Sequence, residues 1–208
     1  MAVGVGGRED DYRALGSSYV GRHQRLEDQV AELRALLRGE PPFPGADPVG
    51  PSCVQPGGPR VLAGAMGPKA MARAARWADG ISGFSIAGDA REMAAASALA
   101  DQCWAEAGRT AAPRKVTGCF VALGVPDAGA VLAAFTERYL GFLGAELASL
   151  MAATARVSSE SALVAALESA AAAGYDEFIL VPATAASGCH EALAELVGRA
   201  GDLGPKSR

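Results

Sequence analysis

The 208-residue sequence predicts an α/β fold, a mainly parallel sheet covered by helices. Two observations carry that expectation. Short apolar runs alternate along the chain with helical patterns of roughly 11 to 20 residues, as in successive β-α-β units. The runs are also nearly all apolar and lack the in–out alternation of a half-exposed strand, as expected where both faces of a sheet are buried. An open doubly wound sheet and a (β/α) barrel both satisfy this pattern.

The chain opens on "AVGVGG", a short strand of small residues over 2–6 that ends in glycines. "REDDYRALGSSY" is polar and reads as loop. From Ser18 to Leu37 the pattern is helical: Tyr19, Leu26, Val30, Leu33 and Leu37 recur at spacings of three, four or seven with charges between them. Gly39 supplies the stop. Residues 40–59 hold seven prolines and four glycines, so no regular element runs through them. Phe43 and Val49 inside this stretch suggest a loop lying on a surface or over a pocket, against a flexible segment.

After the loop, strands are expected at 60–65, 80–86, 115–123 and 177–182. Helices are expected at 67–78, 89–108, 127–144, 158–174 and 190–200, with Asp89 and either Ser158 or Ser159 as N-caps. Residues 1–200 then form one partial domain, with 201–208 a disordered tail.

Composition excludes several functions. The chain is 50% hydrophobic, 20% charged and 6% aromatic, with net charge -4 and no basic block, so nucleic acid is not an expected partner. No apolar stretch reaches the roughly 18 residues of a membrane span. The first residues lack the basic and apolar regions of a signal peptide. Four cysteines (53, 103, 119, 189) form no C-x-x-C pair, and there are two histidines, His23 and His190. No metal site is expected. The cysteines read as small buried hydrophobes in a reducing cytoplasm, and His190 beside Cys189 reads as a surface helix start.

The informative stretch is "VLAGAMGPKAMARAARWADG", residues 61–80. It carries no G-x-G-x-x-G fingerprint, and neither does "GVGGRED" near the start, where no helix follows at once. Pro68 suits the first turn of a helix. The N–H groups of Met66, Gly67, Lys69 and Ala70 then cluster at the helix start. Small residues at 63–65, Gly64 and Ala65 among them, let a ligand approach the backbone, and Lys69 adds positive charge. That describes a phosphate-sized anion site. The other reading is that Gly64 and Ala65 are small because the helix packs tightly on its strand.

These residues carry a resemblance. "VLAGAMGPKAMARAARWADG" followed by "ISGFS" resembles the second half of the bacterial-luciferase-like, flavin-dependent oxidoreductases. "VGVGGREDDYRALG" is similar to that family's mid-barrel strand and loop, "RHQRLEDQVAELRALL" to its next helix, and "AGYDEFILVPA" to its last barrel strand. The resemblance covers about residues 2–200. It implies a (β/α)8 TIM-barrel fold, FMN or the 8-hydroxy-5-deazaflavin coenzyme as cofactor, a small-molecule substrate, monooxygenation or hydride transfer, and a homodimer. It also implies that the cofactor phosphate sits against Gly64, Ala65, Met66, Gly67 and Lys69, with Gly4, Gly6 and Gly7 near the flavin at the barrel rim.

A barrel of this type needs eight strands in about 250 residues, and only five can be counted. The fold is therefore expected as an N-terminally truncated barrel of about five β/α units. A gene start at an internal Met, a truncated relic, or completion by a partner or second copy would each account for that. Two other functions stay open: a non-catalytic, flavin-binding or oligomer-forming module, and a different phosphate-binding barrel enzyme. Glu9, Asp10 and Asp11 read as a solvated acidic run. Arg22, Arg25, Glu27 and Asp28 read as surface ion pairing along one helix. Trp77, Phe84 and Ser85 are candidates for ring contact or plain core. No Ser-His-Asp or Cys-His arrangement is discernible, and catalytic residues are not assigned.

Overall fold

The computed structural model describes residues 1–201. Residues 202–208, most of the expected tail, lie outside the described residues. All the strand pairs described below are parallel, and helices flank them. The chain divides into two compact units: Met1–Ser82 with Ala100–Arg114, and Gly83–Leu99 with the chain from Lys115 onward.

The first unit contains β1 (Ala2–Val3), α1 (Glu9–Ala14), α2 (Arg22–Leu37), β2 (Leu62–Ala63), α3 (Pro68–Ala74), β3 (Gly80–Ser82) and the end of α4 (Ala90–Glu106). Ala2 pairs with Leu62 and Val3 with Ala63; Leu62 pairs with Gly80 and Ala63 with Ile81. These strands are two or three residues long, shorter than the sequence suggests. Gly4, Gly64 and Gly83 follow the three strands at once, and a few residues further on Gly6 (φ 68°) and Gly67 (φ 79°) take a backbone that L side chains disfavour.

The second unit contains the start of α4, most of β4 (Arg114–Val121), α5 (Ala128–Leu140), a 3-10 turn (Gly141–Leu143), α6 (Ala145–Ala152), α7 (Glu160–Ala172), β5 (Glu177–Pro182) and α8 (Ser187–Gly201). β4 and β5 pair from Val116–Glu177 to Val121–Pro182. Residues of β4 and its extension alternate between two buried clusters. Cys119, Val121 and Leu123 pack with Leu163 and Ala166 of α7 and with Leu193 and Leu196 of α8. Phe120 and Ala122 pack with Leu132 of α5 and Ala183. Burial on both faces is what removed the alternation from the sequence.

One device recurs in both units. The Asp79 N–H donates to the Val61 carbonyl (2.8 Å), while the Val61 N–H donates to Asp79 Oδ2 (2.7 Å). Asp176 holds Lys115 in the same way, at 2.8 and 2.7 Å. Each aspartate precedes a strand and fixes its start against the neighbouring one. Asp79 Oδ2 also accepts from Arg34 Nη2 at 2.8 Å, anchoring α2. Asp79→Ala leaves the Val61 N–H and Arg34 without that acceptor, so a loss of about 2 kcal/mol is expected. Urea denaturation checks it; an unchanged midpoint would remove Asp79 from the role.

Two helices escape the hydrophobic pattern. α1 buries no residue, so periodicity cannot reveal it; its acidic first turn favours the helix dipole instead. Arg13 stands 3.3 Å from Asp10 and Arg8 3.8 Å from Asp11. α6 buries only Ala148 and Ala152. Ser159 caps α7 by accepting from the Ala162 N–H at 3.2 Å. Asp89 caps α4 through the N–H groups of Arg91 (2.9 Å) and Glu92 (3.0 Å), and the Glu92 N–H in particular holds its carboxyl below the usual value of 3.8. Among the described residues no helix is long and apolar enough to cross a membrane.

Candidate functional site

The site lies in the first unit, where β1 and β2 run out into glycine. A Cβ on Gly64 would meet the Val3 carbonyl oxygen at 3.4 Å and Gly4 Cα at 3.5 Å; one on Gly4 would meet the Gly64 carbonyl at 3.6 Å. The nearest atoms to Gly64 therefore belong to the neighbouring strand end, not to α3. Tight helix–strand packing does not explain this glycine, although Ala65 beside it is buried.

A cavity of about 400 Å³ opens at these strand ends. Gly4, Gly6, Gly7, Gly64, Ala65 and Met66 line it; Gly67 and Lys69 do not. Lys69 is exposed. Arg73 lines the cavity, with His23 and Trp77. The Arg73 Nε donates to Glu27 Oε1 at 2.8 Å, and Arg76 Nη2 lies 3.7 Å from the same oxygen. The carboxylate fixes Arg73 while leaving its remaining N–H groups for a ligand. Sequence spacing carried a signal for this wall: Ala70, Arg73, Ala74 and Trp77 fall at steps of three, four and seven on one helical face.

The backbone supplies further donors. Met71 N–H is the first in α3 to bond back, to the Gly67 carbonyl at 3.0 Å. The N–H groups of Met66, Gly67, Lys69 and Ala70 before it have no backbone acceptor among the described residues. α3 has only seven residues, so its macrodipole is small and the free N–H groups themselves are the useful feature.

The other candidates fall elsewhere. Phe84 packs against Phe120 within the second unit's core, with ring centroids 4.6 Å apart and planes tilted by 57°. Ser85 is buried and donates to Glu92 Oε2 at 2.5 Å. Glu27 reaches across to α3, and Arg22 and Arg25 stack on tyrosines, so the ion pairing expected along α2 is absent among the described residues; only Gln24 and Asp28 bond to one another, at 2.9 Å. Phe43 and Val49 are exposed, and no residue of 40–59 lines the cavity.

Cys103, Cys119 and Cys189 are buried, but Cys53 is only partly so. Burial pushes the Cys119 thiol up to about 12. A thiol reagent at pH 8 is therefore expected to modify Cys53 in the folded protein and Cys119 only after unfolding, as mass spectrometry of pulse-labelled protein can establish. Equal native labelling of the two would contradict this burial pattern. No group of three or more metal-ligating side chains exists among the described residues.

The strand–helix succession and the cavity at strand ends define an α/β protein of the (β/α)-barrel type, with five strands among the described residues. The chain belongs to the luciferase-like monooxygenase family, whose profile matches residues 1–206. A search of curated proteins returns no match.

Solved structures share the fold. An F420-dependent secondary alcohol dehydrogenase in complex with an F420-acetone adduct aligns with TM-score 0.64 and 16% identity over 89% of this chain. A coenzyme F420-dependent tetrahydromethanopterin reductase from Methanopyrus kandleri aligns with TM-score 0.65 and 16% identity over 95%. A long-chain alkane monooxygenase aligns with TM-score 0.60 and 14% identity over 86%. The chain spans 64%, 71% and 56% of the lengths of these three proteins, respectively.

Proposed function

We propose that this chain binds a flavin-type cofactor, FMN or the 8-hydroxy-5-deazaflavin coenzyme, and serves an oxidoreductase acting on a small molecule, as a homodimer. The observation that carries the reading is the 400 Å³ cavity at the glycine ends of β1 and β2, in a chain of the luciferase-like monooxygenase family. Its chemistry fits a phosphate monoester or diester. Gly4 and Gly64 leave the backbone open, Arg73 offers a cation and His23 a ring nitrogen, and the N–H groups of Met66, Gly67, Lys69 and Ala70 have no backbone acceptor among the described residues.

In this reading Gly4, Gly6, Gly64, Ala65 and Met66 cradle the phosphate end of the cofactor. Gly67 and Lys69 stand outside the cavity wall: Gly67 allows the turn into α3, and Lys69 contributes long-range charge only. Trp77 closes one side with an apolar ring. Glu27 sets the direction of Arg73. The bound flavin supplies hydride transfer at its ring; the protein's part is to hold and orient it.

The test is titration of the purified chain with FMN and, separately, with the deazaflavin coenzyme, followed by flavin fluorescence and visible absorbance. A saturable change with one of them is expected. A folded sample that binds neither defeats the proposal, and saturable binding of a sugar phosphate alone would favour a different phosphate-binding barrel enzyme.

A further inference from the structure

A second cavity, of about 340 Å³, shares Gly4, Val5 and Gly6 with the first but is lined by Arg22 and Arg25 from the first turn of α2. Both guanidiniums lie over tyrosine rings. Arg22 Cζ is 3.7 Å from the Tyr19 centroid and Arg25 Cζ 5.6 Å from that of Tyr12. The rings meet edge to face at 5.3 Å. Their hydroxyls donate to backbone, Tyr12 to the Val5 carbonyl and Tyr19 to the Gly7 carbonyl at 3.4 Å, so the platform under the arginines is tied to the glycine segment.

What the arginines lack is an anion. Neither has a carboxylate partner among the described residues. The cavity's one carboxylate, Asp11, stands 3.8 Å from Arg8. Arg25 donates to the Ser18 carbonyl, and Arg22 Nη1 reaches the Tyr19 carbonyl only at 3.4 Å. Arg22 Nε is buried and has no hydrogen-bond partner among the described residues. A buried N–H without an acceptor is destabilising. Arg34 Nε shares that state, but Arg34 commits another nitrogen to Asp79 at 2.8 Å. Stacking on an aromatic face leaves a guanidinium's in-plane N–H groups free, and those match a planar or tetrahedral oxyanion.

We propose that Arg22 and Arg25, held on the Tyr12–Tyr19 platform, bind the oxyanion of a small ligand, a carboxylate or phosphate group, in this cavity. Gln29 and Ser17 on the same wall supply neutral hydrogen-bonding groups. The site borders the proposed cofactor cavity at Gly4 and Gly6, but the arginines that carry it lie outside that cavity, and its test uses no flavin.

The experiment is NMR of the full chain, following the Arg22 Nε–Hε resonance during titration with acetate, succinate or inorganic phosphate, with sodium chloride at matched ionic strength as reference. A saturable shift beyond the chloride response is expected. Saturation by acetate or succinate assigns a carboxylate source, and saturation by phosphate alone assigns a phosphate source. Arg25→Gln should weaken binding about tenfold, the loss of one charge-assisted contact. Arg73→Gln, in the first cavity, should leave it unchanged. Arg22→Gln, read by backbone amides of the α1–α2 segment, should abolish it; if that variant does not fold, Arg25→Gln and the native titration decide. No shift beyond chloride, or the same affinity in native protein and Arg25→Gln, overturns the proposal.

Discussion

Gly80→Ala is expected to destabilise the protein by about 3 kcal/mol or more, the upper range for overpacking a core. Gly80 is the first residue of β3 and is buried. An added Cβ would lie 1.9 Å from the Arg114 carbonyl oxygen and 2.7 Å from that residue's carbonyl carbon and nitrogen. All three are backbone atoms, so no side chain can swing aside. The Arg114 N–H also donates to the Asp79 carbonyl at 3.0 Å, which keeps the two segments together at the crowded point. Gly83→Ala is the internal control: its Cβ would meet the Val116 carbonyl at 3.7 Å, an ordinary contact. Denaturant midpoints for the two variants should differ clearly. Equal stability of Gly80→Ala and native protein would mean that the close approach at β3 is misdescribed.

Gly4→Val is expected to lower flavin affinity at least about tenfold, equivalent to about 1.4 kcal/mol, while the protein stays folded. Gly4 has no positive φ, and its Cβ position lies 3.6 Å from the nearest neighbour atom, so the backbone accepts a Cβ there. The cost falls on the cavity that Gly4 lines, which loses the volume of an isopropyl group beside the proposed phosphate. Circular dichroism separates folding from binding. Unchanged flavin affinity in a folded Gly4→Val sample would take the phosphate away from this cavity.

How far the sequence revealed the fold depended on how each element is stabilised. The β4 run was legible because packed layers on both sides require continuous apolar residues there, and β5 was legible as an apolar run although Ile179 is exposed. β1 to β3 were overextended because small and apolar residues continue past the last paired positions, Val3, Ala63 and Ser82. α1 and α6 were not visible, since a helix that buries nothing, or only alanines, has no apolar stripe. The same limits applied to the site. Gly4, Gly6, Gly64, Ala65 and Met66 line the cavity; for Gly4 and Gly6 the signal was the family resemblance, and for Gly64 and Ala65 their small size. Lys69 was attractive for its charge and its place beside Pro68, but it is exposed, and the arginine that lines the cavity is Arg73, one turn further along α3. Arg22 and Arg25 read as surface pairing because their aromatic partners, Tyr19 and Tyr12, lie three and thirteen residues away. The longer spacing belongs to no helix period.

The measurement that bears most directly on the proposed function compares each flavin with its phosphate-free form: FMN against riboflavin, and the deazaflavin coenzyme against its phosphate-free deazariboflavin. Dissociation constants for the purified chain come from fluorescence titration at fixed ionic strength. If Arg73, His23 and the glycine backbone hold the phosphate, the phosphorylated form of the accepted flavin binds at least about tenfold more tightly, as expected for charge-assisted contacts. Equal affinity with and without the phosphate would contradict the assignment of this cavity.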